Sequence, residues 1–142
     1  MKTKILLVDD EKDFTDALAQ RLEIRGFDVS VAYSGENALE IFENNSLDIV
    51  ILDVQMPGLS GVETLQRIKE MAPLAQVIML TGNATVQNAI EGMKNGAYDF
   101  LMKPVDIDSF EEKLNEAFKI KKEHDERIRK AKVDNIINRH GW

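Results

Sequence analysis

The sequence predicts an α/β fold in which one parallel sheet is covered by helices on both faces, a doubly wound arrangement. Short apolar segments of the kind that form buried strands alternate with longer segments whose apolar residues recur every three or four positions. Five segments of each kind occur, in the order βαβαβαβαβα. Strands that alternate with helices in this way require right-handed crossover connections, and therefore a parallel sheet.

Three of the predicted strands are nearly continuous apolar segments, as expected of strands that are buried on both faces. They are Ile5–Val8, Ile49–Leu52 and Val77–Leu80. The two remaining segments, Phe27–Val31 and Tyr98–Met102, contain polar residues at intervals and suit the edges of the sheet. Placing them at the edges gives the strand order 2-1-3-4-5 that is typical of flavodoxin-like folds.

The predicted helices begin at recognisable capping residues. Ser34 is predicted to cap the second helix, Ser60 with Glu63 forms a capping box for the third, and Asp108 with Glu111 opens the fifth. The predicted inward faces are Phe14, Ala17, Leu18, Arg21 and Leu22 in the first helix, Ala38, Ile41 and Phe42 in the second, Val62, Leu65 and Ile68 in the third, Val86, Ala89, Ile90 and Met93 in the fourth, and Phe110, Leu114 and Phe118 in the fifth.

Composition and charge exclude several classes of function. The 142 residues are 44% hydrophobic, contain no cysteine, and include no apolar segment near the roughly 20 residues of a membrane span. We therefore expect a cytoplasmic protein that does not enter a membrane. Residues 1–118 hold 10 Lys and Arg against 21 Asp and Glu, a net charge of −11, so this part is not expected to bind nucleic acid directly.

Polar side chains that follow four of the strands are predicted to meet at one edge of the sheet. Asp9 and Asp10 follow the first strand, Asp53 the third, Thr81 the fourth and Lys103 the fifth. In sheets of this kind, ligands bind outside the carboxyl ends of the strands. Each residue alone can have a structural role, such as capping a helix. Three carboxylates at one edge, however, repel one another unless a cation is present.

A hard divalent cation would relieve that repulsion, and Mg²⁺ binds carboxylate oxygens while keeping positions for water and phosphate oxygens. Asp10 and Asp53 are predicted as direct ligands, with Asp9 acting through a bound water. Asp53, flanked by the metal and by Lys103, can then act as a nucleophile toward phosphorus. Thr81 can donate a hydrogen bond to the phosphoryl oxygens.

Together these motifs resemble the signature of bacterial two-component response-regulator receiver domains. Residues 57–61, with the sequence PGLSG, and residues 81–106 are most similar to receivers of the nitrogen-regulation class of transcription activators. The matching motifs are Asp9-Asp10, Asp53 within Leu52-Asp53-Val54-Gln55-Met56-Pro57-Gly58, Thr81, and Lys103-Pro104. The resemblance covers residues 1–120 as the receiver domain and leaves residues 121–142 as a basic helical extension or linker. It also implies a cis peptide bond between Lys103 and Pro104.

The resemblance implies that the chain is a signalling domain and not an enzyme. Such a domain catalyses only its own phosphoryl transfer and dephosphorylation. Asp53 would be phosphorylated by a sensor histidine kinase or a phosphotransfer protein, and the backbone carbonyl of Gln55 would complete the Mg²⁺ site. Phe100 stands where the family has its switch aromatic, which turns inward when Thr81 moves toward the phosphoryl group. Gln55 and Asn83 stand where the family tunes dephosphorylation.

Three other functions fit part of the pattern. A flavodoxin needs a phosphate loop rich in Ser, Thr and Gly after the first strand, where this chain has Asp9-Asp10-Glu11. A phosphatase of the haloacid dehalogenase class needs a second Asp two residues after its nucleophile, where Gln55 stands. A pseudo-receiver, which binds partners without phosphorylation, usually lacks part of the set of acidic residues and Lys.

The pattern of the fifth helix continues to about Asn138, and residues 119–142 carry 8 Lys and Arg against 4 Asp and Glu, a net charge of +4. The middle of its potential seam is polar, so a self-sufficient coiled coil is not expected. Two alternatives stay open: a solvated helix held only at its base, or a helix that pairs with a second copy in a homodimer or with an output domain. The seam reads Phe110, Leu114, Ala117, Lys121, His124, Ile128 and Ala131.

Overall fold

The computed structural model describes residues 2–82 and 86–139, except for the side chains of Val86, Asn138 and Arg139. In these residues five parallel strands alternate with five helices, and the strand order is β2-β1-β3-β4-β5. The predicted fold class and strand order are therefore confirmed. The elements are β1 (Lys4–Val8), α1 (Lys12–Ile24), β2 (Asp28–Ala32), α2 (Gly35–Asn44), β3 (Ile49–Leu52), α3 (Gly61–Met71), β4 (Gln76–Thr81), α4 (Val86–Lys94), β5 (Asp99–Met102) and α5 (Ile107–Arg139).

The sheet buries apolar side chains on both faces, because successive residues of a strand point in opposite directions. One face of the sheet packs against α2, α3 and α4, and the other packs against α1 and α5. The central strands supply both cores, with Leu6 and Val50 on the first face and Leu7 and Ile51 on the second. The predicted edge strands β2 and β5 are only partly buried.

The register of the central strands aligns the residues that follow them. Val8 lies opposite Leu52, and Leu52 lies opposite Met79. Backbone pairing continues one residue further, because the N–H of Asp53 donates to the carbonyl oxygen of Val8 at 2.9 Å. The first residues after β1 and β3 therefore leave the sheet side by side.

The caps predicted for α2 and α3 are confirmed. The hydroxyl of Ser34 accepts a hydrogen bond from the N–H of Asn37 at 3.0 Å, and that of Ser60 accepts one from the N–H of Glu63 at 3.2 Å. These contacts satisfy backbone donors that have no partner within the first turn of a helix.

The predicted inward face of α1 was wrong at two positions. Ala17 and Arg21 are exposed, and Thr15 and Ala19 are buried in their place, beside Leu18. Thr15 can be buried because its hydroxyl donates to the carbonyl oxygen of Glu11 at 2.8 Å, which leaves only its methyl group to pack. Because Thr15 is a polar residue type, the apolar pattern of the sequence did not identify it as part of the buried face.

The predicted inward face of α4 was also wrong in part, because Ile90 and Met93 are 44% and 48% exposed. Gly92 faces the sheet instead, and a Cβ on it would lie 3.4 Å from Met79 and 3.7 Å from Phe100. A glycine contributes nothing to an apolar pattern, so the periodicity could not reveal this face. The side chain of Val86, the first residue of the predicted face, lies outside the described residues.

Asp106, not the predicted Asp108, caps α5. Its carboxylate accepts hydrogen bonds from the N–H of Ser109 at 3.3 Å and from its hydroxyl at 2.7 Å. Asp108 and Glu111 instead accept hydrogen bonds from the guanidinium of Arg25, at 2.6 and 2.8 Å. These two acidic residues therefore tie the end of α1 to the start of α5.

The fifth helix continues well past the sheet, close to its predicted end. Lys121 Nζ lies 3.1 Å from a carboxylate oxygen of Asp48, just before β3, and 2.9 Å from one of Asp125. Beyond this point the described apolar side chains of Ile128, Val133 and Ile136 are exposed. In the described part of the chain, no helix has the length and apolar character needed to cross a membrane.

The first residue of α3 must be glycine because of its neighbours. A Cβ on Gly61 would overlap the carbonyl oxygen of Asp53 and would lie 2.7 Å from the Cα of Val54. Both neighbours are backbone atoms, which cannot turn aside as a flexible side chain can. The N–H of Gly61 donates to the carbonyl oxygen of Val54 at 3.0 Å, which fixes this close approach.

We expect Gly61→Ala to lower the free energy of unfolding by about 1–3 kcal/mol, the usual cost of overpacking. Gly92→Ala is the matched control. Its new methyl group meets only ordinary van der Waals contacts, and replacing glycine within a helix should raise stability by up to about 1 kcal/mol. Urea unfolding of both variants measures the difference, and equal stability of the two variants would contradict the packing described for Gly61.

Candidate functional site

The polar residues predicted to share one edge of the sheet do lie there. Asp9 and Asp53 follow β1 and β3, Thr81 ends β4, and Lys103 follows β5. Asp9, Asp53 and Thr81 are only 2%, 5% and 2% exposed. Asp10 is exposed and lies beside them. Buried polar side chains at the ends of parallel strands mark this edge as the candidate site.

Three carboxylates form the acidic centre of the site. Asp9, Asp10 and Asp53 each place one carboxylate oxygen within 4.8 Å of the others. Two of the three are buried and Asp10 is exposed, so the cluster is reached from solvent on the side of Asp10. A set of carboxylate oxygens suits a hard divalent cation such as Mg²⁺ or Ca²⁺. The cluster can therefore hold a metal ion.

Lys103 supplies the positive charge of the site. Its Nζ lies 2.7 Å from an oxygen of Asp9 and 2.9 Å from one of Glu11, and 4.2 Å from the centre of the Phe14 ring. Burial opposes the charged form, but the two carboxylates outweigh it and raise the pKa of Lys103. The peptide bond between Lys103 and Pro104 is cis, as the resemblance implied.

The carboxyl group of Asp53 has a raised pKa. Burial first, and then the negative charge of Asp9, raise its pKa to about 6. Lys103 and hydrogen bonds from the N–H of Gln55 and the hydroxyl of Thr81 act in the opposite direction. These three groups favour the carboxylate but do not fully offset its burial beside another acid.

Two residues at the site were not among the predicted site residues. Glu11 was seen only as an acidic residue after the first strand, and Phe14 only as part of the inward face of α1. Both touch the ammonium group of Lys103. The sequence does offer a signal, because Glu11 and Phe14 stand at the start of the first helix, directly after the strand that delivers Asp9 and Asp10 to this edge.

Other predicted site residues lie at or beyond the margin of the cluster. Gln55 is exposed on the loop that follows β3. Phe100 is partly buried in β5, opposite Met79, where it packs on the face covered by α2, α3 and α4. Asn83 lies outside the described residues.

Comparison with known proteins agrees with this geometry. The family model of the response regulator receiver domain matches residues 5–115. The transcriptional regulatory protein ZraR of Salmonella typhimurium is 37% identical over 116 residues, which cover 82% of this chain and 26% of ZraR. The transcriptional regulatory protein CpxR of Escherichia coli is 42% identical over 101 residues, 71% of this chain and 43% of CpxR. The chain thus spans less than half the length of these relatives.

Two solved receiver domains show the same fold over nearly their whole length. A CheY-like response regulator receiver domain from Methanospirillum hungatei superimposes with a TM-score of 0.84 at 29% identity, covering 87% of this chain and 99% of that one. A receiver domain from Clostridium thermocellum gives a TM-score of 0.80 at 42% identity, covering 84% and 97%. With most of its length matched in sequence and in fold, the chain belongs to the family of response-regulator receiver domains of two-component systems.

Proposed function

We propose that Asp53 accepts a phosphoryl group from a phosphohistidine of a sensor histidine kinase or a phosphotransfer protein, in a reaction that requires Mg²⁺. The resulting change in conformation controls a downstream partner. The observation that supports this most directly is the buried carboxylate of Asp53, which stands beside two further carboxylates and the ammonium group of Lys103. Such a carboxylate can act as a nucleophile once its charge is balanced.

In the proposed transfer, an oxygen of Asp53 forms a bond to phosphorus while the bond from phosphorus to the donor nitrogen breaks. The electron pair of that bond stays on the imidazole of the donor. Thr81, whose hydroxyl already donates to Asp53, is placed to donate to an oxygen of the new phosphoryl group. Lys103 can do the same if it exchanges Asp9 or Glu11 for the phosphoryl oxygens.

The residues at this edge fit a magnesium site. Asp10 and Asp53 are the proposed direct ligands, the backbone carbonyl of Gln55 completes the set, and Asp9 acts through a bound water. When bound, Mg²⁺ neutralises negative charge on the carboxylates and on the arriving phosphoryl group. Asp9 already engages Lys103 and the N–H of Glu11, so its oxygens are less available for direct ligation.

We assign the conformational response to Thr81 and Phe100. A shift of Thr81 toward the phosphoryl group would leave space at the end of β4 beside β5, where Phe100 is only partly buried. An aromatic side chain at the edge of a core can occupy such space. Gln55 and Asn83 are proposed to tune hydrolysis of the phosphorylated Asp53 through the position of the attacking water.

We also propose that the extension, residues 121–142, pairs with a second copy of the chain, while residues 1–120 form the receiver. The exposed apolar side chains of Ile128, Val133 and Ile136 on a helix that has left the sheet support this. Burying these three side chains against another helix would be favourable, because it removes apolar surface from water.

Asp53→Asn should abolish phosphorylation by acetyl phosphate in the presence of Mg²⁺, because an amide oxygen is a poor nucleophile toward phosphorus. The wild type should gain one phosphoryl group by intact mass. Asp28→Asn is the matched control, since Asp28 is exposed at the opposite end of the sheet and should be labelled like the wild type. Equal labelling of Asp53→Asn and wild type would refute the proposed acceptor.

Asp53→Asn should also stabilise the metal-free protein in EDTA at pH 8. The fold raises the pKa of Asp53 to about 6, so its contribution to stability is full below about pH 4 and is lost as the pH rises through 6. A rise of about 2 in pKa corresponds to at most about 3 kcal/mol. The advantage of the variant should therefore grow between pH 4 and pH 7 in urea unfolding. An advantage that is the same at pH 4 and pH 8 would contradict this origin.

Ile128→Glu together with Ile136→Glu should convert a dimer to a monomer in sedimentation velocity, because each substitution puts a charge into the proposed interface. Glu123→Gln with Glu126→Gln is the control, since it changes charged positions of the same helix without touching these isoleucines. A wild type that stays monomeric with and without beryllofluoride, a mimic of the bound phosphoryl group, would leave the extension as a solvated helix.

A further inference from the structure

The loop between β3 and α3, residues 53–60, begins at the proposed phosphoacceptor and carries the proposed carbonyl ligand of Gln55. Its first half is held by a hydrogen bond from the N–H of Gln55 to the carboxylate of Asp53, and by two further contacts. The carbonyl oxygen of Val54 accepts a hydrogen bond from the N–H of Gly61 at 3.0 Å, and the side chain of Met56 is buried in the core. Pro57 and Gly58 between these points are exposed. The second half of the loop, residues 57–59, therefore needs a further contact if its backbone is to stay in place.

That support comes from the start of α2. A carboxylate oxygen of Glu36 accepts a hydrogen bond from the backbone N–H of Leu59 at 2.6 Å. Gly58, with φ of +77°, packs against the same group, because a Cβ there would lie 2.8 Å from the Glu36 oxygen. A Cβ on Gly35 would lie 3.0 Å from the carbonyl oxygen of Leu59. The first turn of α2 and the loop thus fit together closely.

The charge state of Glu36 suits this contact. The hydrogen bond from the N–H of Leu59, and then that from its own N–H, lower the pKa of Glu36, with smaller contributions from Ser34 and Arg67. The group is therefore an ionised acceptor at neutral pH. It is also exposed, and single exposed contacts of this kind contribute little to global stability. Its effect is on local geometry.

We propose that Glu36 is a positioning residue of the site: by holding Leu59 it fixes the loop, and so presents the carbonyl of Gln55 to the metal. This inference rests on the proposed magnesium site and adds a residue outside it. Glu36 acts through Leu59 and does not touch the reacting atoms. Removing a group that orients metal ligands commonly lowers metal affinity about 10- to 100-fold although the ligands themselves are unchanged, and Glu36 would have such an effect through the loop.

The test is Mg²⁺ affinity of the full chain, measured by calorimetry for Glu36→Ala and Glu36→Gln. We expect Glu36→Ala to weaken binding about 10-fold, at the lower end of the effect of groups that orient ligands. Glu36→Gln should stay close to wild type, because its amide oxygen can still accept the hydrogen bond from Leu59. Asp10→Asn, which alters a proposed direct ligand, is the positive control for loss of affinity.

This pair of variants separates hydrogen bonding from charge. If the negative charge of Glu36 merely attracted the cation from a distance, both variants would lose affinity equally, and that result would overturn the proposal. Unchanged affinity of Glu36→Ala would overturn it as well. Urea unfolding without metal should give the same stability for all three proteins, so that a fall in affinity cannot come from unfolding.

Hydrogen exchange supplies a readout that does not depend on metal. The amide of Leu59 should exchange slowly in wild type and in Glu36→Gln, and faster in Glu36→Ala. Exchange of the amides in the sheet should be the same in all three proteins. Equal exchange of this amide in all three proteins would refute the contact itself. Absence of Mg²⁺ binding by the wild type would instead refute the proposed metal site, so the two failures are distinguishable.

Discussion

The crowding of carboxylates at the ends of β1 and β3 is the constraint on which the rest of the site depends. The parallel register leaves Asp9 and Asp53 side by side and buried, where two negative charges repel and lack water. Each neighbouring group has a part in offsetting this cost. Lys103 pairs with Asp9, while Thr81 and the N–H of Gln55 donate to Asp53. Because these contacts balance the charges of the site, adding the negative charge of a phosphoryl group would require them to rearrange.

The sequence predicted the sheet and the location of the site because both depend on strong and local signals. Continuous apolar strands and the polar residue after each strand are visible in the chain itself, and parallel pairing then determines where Asp53 and Lys103 lie. The caps at Ser34 and Ser60 were also predictable, since a capping residue acts within one turn. The pattern of the helix that became α5 likewise predicted its length.

The positions that the sequence did not predict depend on contacts between distant segments. The burial of Thr15 and of Gly92 becomes clear only when their neighbours are in place, since neither residue is of an apolar type that a periodicity reveals. Asp108 resembled a helix cap but is paired with Arg25, 83 positions away. The hydrogen bond from Leu59 to Glu36 spans 23 positions and leaves no pattern in either segment.

The ion pair between Lys121 and Asp48 attaches α5 to the start of β3 at the point where the helix leaves the sheet. Asp48 precedes the short strand whose other end leads to Asp53, so the base of the projecting helix is attached to the same strand as the proposed acceptor. From Lys121 to its described end the helix extends about 27 Å at 1.5 Å per residue. A rotation of about 5° at Lys121 would displace the far end by roughly 2 Å over that length. The length of the helix alone would therefore magnify, at its far end, any small rotation at Lys121.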